Sequence, residues 1–190
     1  LEVREAIETL RGGGPTDLRE HCIAVAGHML RLGRRDTSEY ALAEAMAEIA
    51  GLITSGAGLA KFRELIEAQG GDGAVIDRPD ILPQARIQQD IPAAHSGFLA
   101  QMNALDVAEA TLDLGAGRAR KTDPVDPAVG VIVHHKVGDY VSAGETLFSI
   151  HANSEAQLER ARERLLSAPV FREREQQPLP MFYDTIYGDA

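Results

Sequence analysis

The chain has 190 residues, 44% hydrophobic and 25% charged, with a formal charge of −10 at neutral pH. That length and mixture suit a globular chain of one domain or two small ones, with room for a buried core. The acidic surplus argues against a nucleic-acid-binding surface, and no apolar run approaches the roughly 20 residues needed to cross a bilayer.

Cys22 is the only cysteine, so an intrachain disulfide is ruled out and a reducing, cytoplasmic setting is expected. Tryptophan is absent and other aromatics are sparse, so Leu, Ile, Val, Ala and Met are expected to fill the core. The first ten residues, "LEVREAIETL", already carry helical periodicity through Val3, Ile7 and Leu10. No Ser, Thr, Asp or Asn precedes them to accept the first free N–H groups, and the chain reads as a fragment beginning inside a helix. Gly12 to Gly14 end that helix, and Pro15 suits the first turn of the next.

Leu18, Cys22, Val25, Met29 and Leu32 follow at alternating spacings of four and three, which predicts a helix burying that stripe and stopping at Gly33. Asp36 and Glu39 form a candidate capping box for a third helix through Leu42, Met46, Ile49 and Ile53. Leu59, Phe62 and Ile66 mark a fourth, ended by Gly70 and Gly71.

The pattern then changes. Pro79 and Pro83 mark a connector, and the chain beyond is expected to be extended, with a turn between Pro92 and Gly97. Val107, Ala110, Thr111 and Leu114 predict a short helix stopped by Gly115. "VGVIVHH" and "ETLFSIHA" are strand candidates separated by turns at Gly138-Asp139 and Gly144-Glu145. A last helix over 154–167 is expected to turn Leu158, Ala161 and Leu165 inward. The tail, with Pro178 and Pro180, should be irregular or add a strand over 181–186.

Little in this pattern points to chemistry. "VGDYVSAGETLFSIHAN" resembles half of a biotin- or lipoyl-carrier sandwich, but such a domain presents a modified lysine on a hairpin. The only lysines are Lys61, Lys121 and Lys136, and Lys136 lacks the flanking residues of an attachment hairpin. It reads as a solvated turn lysine, with a non-catalytic carrier or interaction module kept as the alternative function.

His134 and His135 are adjacent on a candidate strand and point to opposite faces. His21 and His28 lie about 10 Å apart along a helix, too far to share one zinc ion. His151, at a strand end, is expected to pack or to bond the backbone. "GAGRARK" places Arg118, Arg120 and Lys121 beside two glycines, which suits a basic surface loop or an anion site. It follows a helix rather than a strand, so it lacks the context of a dinucleotide fingerprint. Cys22 is expected to be a core residue on its apolar stripe. Taken residue by residue, the chain has no evident active site.

In order, "LEVREAIETLRGGGPTDL", "KFRELIEAQGGD", "LDLGAGRARKTDPVDPAVGVIVHHKVGDYVSAGETLFSIHAN" and the ending Tyr183-Asp184-Thr185-Ile186 resemble the C-terminal portion of the pyrimidine-nucleoside (thymidine) phosphorylase family. The resemblance implies an α+β chain. Residues 1–82 would be a helical part of the family's α/β domain plus linker. Residues 83–190 would be a C-terminal α/β hammerhead, a barrel-sandwich-like domain without the carrier lysine.

It also implies a parent enzyme that uses phosphate to convert a pyrimidine nucleoside to free base and pentose 1-phosphate, in pyrimidine salvage. The phosphate-binding Lys-His-Ser-Thr-Gly-Gly loop and the base-contacting Arg, Ser and Lys of that family are not in these 190 residues. The resemblance therefore assigns no catalytic or substrate-binding residue here and implies that this stretch alone is inactive. It places one ligand of the family's monovalent cation, potassium, at Glu5, in an incomplete site. It implies no cofactor for the chemistry, a homodimeric intact enzyme, and the N-terminal part of the same chain as partner.

Overall fold

The computed structural model describes residues 1–35, 38, 41–118 and 120–186. The chain divides into two compact units, Glu2–Ile81 and Leu82–Ala190, with Leu1 grouped in the latter.

The first unit is helical: α1 (Glu2–Leu10), α2 (Thr16–Arg34), α3 (Ala41–Thr54) and α4 (Ala57–Ala68), followed by two short 3-10 turns at Gly73–Ile76 and Pro79–Ile81. α2 and α3 pack through small residues. Ala24 and Gly27 of α2 are buried, as are Ala41 and Ala45 of α3. A β-carbon on Gly27 would lie 2.6 Å from Met46 Cγ and 3.3 Å from its backbone nitrogen, so the close approach of the two helices requires glycine there. Arg34 secures the pair at the surface by forking onto both carboxylate oxygens of Glu48, at 2.9 and 3.0 Å.

Elsewhere in this unit arginines tie helices to the 3-10 turns. Arg63 donates to Gly73 O at 2.9 Å and to Asp77 Oδ1 at 2.8 Å, and Arg4 donates to Pro79 O at 3.0 Å. Ile7 and Ile76 are its fully enclosed large side chains. Thr9 is also buried, and its hydroxyl has no hydrogen-bond partner.

Two expectations for α2 fail. Gly33 lies inside the helix, and Arg35 ends it instead, in the left-handed conformation (φ 55°), its N–H reaching the carbonyls of Arg31 and Leu32. The stripe expected to be core faces outward: Val25 is 41%, Met29 68% and Leu32 75% exposed, and Cys22 is exposed with them. The face against α3 is the one with small residues, because only there can the axes approach closely. The capping pair Asp36 and Glu39 lies outside the described residues.

The second unit is α+β. β1 (Ile87–Pro92), β2 (Gly97–Met102), α5 (Ala104–Leu114), β3 (Gly130–Val133), β4 (Tyr140–Val141), β5 (Thr146–Ala152), α6 (Glu155–Ser167) and β6 (Pro169–Arg172) follow in order. They form two antiparallel three-stranded sheets, β1-β5-β3 and β4-β2-β6. Neither closes into a barrel. Pro92, which cannot donate to a ladder, ends edge strand β1 at a register shift.

β5 is central in its sheet, and Phe148, Ile150 and Ala152 point into the core shared with Leu158, Ala161 and Leu165 of α6 and Ala110 and Leu114 of α5. α5 begins at Asn103, whose Oδ1 accepts from Leu105 N at 3.1 Å, and ends at Gly115 in the left-handed region (φ 98°). Arg164 of α6 donates to Asp113 at 3.0 Å and to Glu109, pinning the two helices together. Its hydrogen bond to Asp113 holds the guanidinium pKa above its ordinary value.

Asn153, just after β5, joins three segments. Its Oδ1 accepts from Arg86 N at 2.9 Å, and its amide donates to Asp126 at 2.7 Å. Asp126 in turn accepts from Ala128 N at 2.9 Å. β6 was not expected. The segment 181–186 forms no strand, which agrees with the irregular-tail reading.

Five substitutions test this packing by urea denaturation. Gly27→Leu should cost about 2 kcal/mol by overpacking, whereas Gly33→Ala, facing open space, should gain roughly 0.5–1 kcal/mol from helix propensity. Thr9→Val removes a buried hydroxyl that bonds nothing, and should leave stability unchanged or raise it by about 1 kcal/mol. Leu165→Ala should cost about 2–5 kcal/mol, while its neighbour Leu166→Ala, 48% exposed, should cost under about 0.5 kcal/mol.

Candidate functional site

Among the described residues no three His, Cys, Asp or Glu side chains converge on a point that could hold a metal ion. Glu5, the one residue to which a role is attached by resemblance, is exposed on the first turns of α1. A single carboxylate offers potassium one oxygen of the several a hard cation takes. The donor type fits, and among the described residues Glu5 belongs to no cluster of three His, Cys, Asp or Glu side chains.

The histidines are dispersed along the chain. β3 ends at Val133, so His134 and His135 follow the strand rather than lie within it, although His134 N still donates to Leu147 O at 3.1 Å. His134 Nε2 lies 2.8 Å from Ser149 Oγ, and Ser149 donates to Asp90 Oδ1 at 2.5 Å. With the hydroxyl proton directed at Asp90, the imidazole is the donor to Ser149. A nucleophilic serine needs the reverse, an imidazole that accepts its proton. The trio is an outward polar link between β1, β5 and the chain after β3.

His135, with only 15% of its side chain exposed, sits between two carboxylates, Asp139 Oδ2 at 3.7 Å and Glu145 Oε1 at 3.6 Å. Each carboxylate also closes its own turn, accepting from Lys136 N at 2.8 Å and Ser142 N at 2.9 Å respectively. His135 thereby bridges the two turns that flank β4. His151 is half-buried in β5 opposite Gln88 and Gly130, while His21 is exposed and His28 half-buried on α2.

Lys136 opens a turn in which Asp139 N donates to Lys136 O at 3.0 Å, so the central positions are Val137 and Gly138. The lysine stands at the base of the turn and not at its tip, where a carrier would hold its cofactor. Lys61 pairs with Glu64. Arg118, Arg120 and Lys121 are all exposed after the α5 cap, and the Arg120 N–H is taken by Asp123 Oδ2 at 2.7 Å. These cations lie on the surface. Cys22, expected to be buried, is an exposed free thiol.

Sequence reasoning missed the linking residues Asn153, Asp126 and Arg164. Asn153, directly before the last helix, carried the only visible signal, since Asn there commonly bonds neighbouring backbone. No single helix is long and apolar enough to cross a membrane; α3 and α4 reach that composition only together, across a 73° bend.

The residues 98–171 match the family model described as "Pyrimidine nucleoside phosphorylase C-terminal domain". The chain is also 41% identical over 155 residues to a pyrimidine-nucleoside phosphorylase of Bacillus subtilis, covering 82% of this chain and 35% of that protein. It is 43% identical over 153 residues to the pyrimidine-nucleoside phosphorylase of Staphylococcus aureus, covering 80% of this chain and again 35% of the relative. The chain thus spans about a third of the length of the curated relatives it matches. The matched domain starts within β2 and ends within β6, so it takes in both helices of the second unit and every strand but β1. By that match and by the similarity along most of its length, the chain is similar to the C-terminal portion of pyrimidine-nucleoside phosphorylases.

Proposed function

We propose that this chain is the C-terminal scaffold of a pyrimidine-nucleoside phosphorylase. In the parent reaction an oxygen of inorganic phosphate bonds to the anomeric carbon as the glycosidic C–N bond breaks. The bonding pair leaves with the base, which takes up a proton, and the products are free pyrimidine and a pentose 1-phosphate. The observation that carries this reading is the 41–43% identity over four-fifths of the chain. Phosphate attack needs cations and N–H donors gathered around one anion, and negative charge on the departing base needs donors of its own. The described residues offer surface cations and carboxylate-bound arginines instead, which suits a part that positions a cleft and does not form it.

Three further features belong to the proposal. The second unit is a hammerhead related to the barrel-sandwich carriers, without their attachment lysine. Glu5 supplies one ligand to a potassium ion whose remaining ligands come from the rest of the enzyme. The outward stripe of α2 is covered by that remainder, because Met29 and Leu32 expose apolar surface that a stable helix bundle would otherwise bury. The intact enzyme works as a homodimer in the cytoplasm.

A chimera tests the functional reading. This chain would replace the corresponding C-terminal third of the Bacillus subtilis enzyme, and uridine phosphorolysis would be followed by uracil release. The chimera should turn over with phosphate and the isolated chain should not. A folded but inactive chimera, or turnover that rises with the concentration of the isolated chain, would overturn it.

The stripe has its own test. Met29→Glu combined with Leu32→Glu should change the unfolding free energy of the isolated chain by less than about 0.5 kcal/mol in urea denaturation. In the chimera the same pair should abolish soluble expression or activity.

A further inference from the structure

We draw no further inference here: the strongest candidate, the outward apolar stripe of α2 formed by Cys22, Val25, Met29 and Leu32, carries nothing beyond the proposal above, because nothing in the structure shows what covers it.

Discussion

α2 carries more apolar surface than its unit can cover, and much of the first unit follows from which side it buries. Two seams compete along the helix. One is built of large residues, Cys22, Val25, Met29 and Leu32. The other is built around Ala24 and Gly27, flanked by Ile23 and Leu30. Burial of apolar area favours the first, at roughly 25 cal/mol per Å². The second wins because α3 presents Ala41 and Ala45 in return, and two small-residue faces bring the helix axes close enough for many dispersion contacts along their length. Gly27 fixes that distance against Met46. The larger side chains are left pointing away.

The second unit solves the opposite problem. Its sheet has a central strand with apolar residues at successive positions, Leu147 and Phe148, both buried. A strand of that kind needs cover on both faces, or close to it. α5 and α6 provide one cover, locked to each other by Arg164, Glu109 and Asp113. Around the rim, side chains that bond backbone hold the loops: Asn153 with Arg86 and Asp126, Asp139 with Lys136, Glu145 with Ser142. His135 sits between two of these turns. Side chains that bond backbone in this way fix the loops around a small apolar core.

The legible parts of the sequence were those where one residue type does one local job. Leu158, Ala161 and Leu165 lie inward as their spacing requires, and Gly115 ends α5 because its left-handed φ carries little penalty only for glycine. Turns at Gly138 and Gly144 separate β3, β4 and β5 as read. What could not be read was any choice between two locally adequate answers. The periodicity of α2 is equally good on either seam, so burial was decided by α3 and not by α2. Gly33 looked like a stop, yet a helix ends where its carbonyls find partners, and here the N–H of Arg35 supplies one. β6 is only four residues long and exists because β2 offers it an edge. The one residue assigned a role by resemblance carries no local signal of it. Glu5 is an ordinary exposed helix carboxylate unless other oxygens are brought to it.

Part of the positive charge among the described residues holds the fold together. Several cations of the chain are already committed: Arg34 to Glu48, Arg63 to Asp77, Lys61 to Glu64, Arg164 to Asp113 and Glu109. A phosphate could recruit one of them only by displacing a carboxylate, which would leave that anion facing the incoming one. In a chain of net charge −10 the exchange is unfavourable at nearly every point of the surface. Arginines spent on holding helices and turns in place are therefore unavailable for substrate.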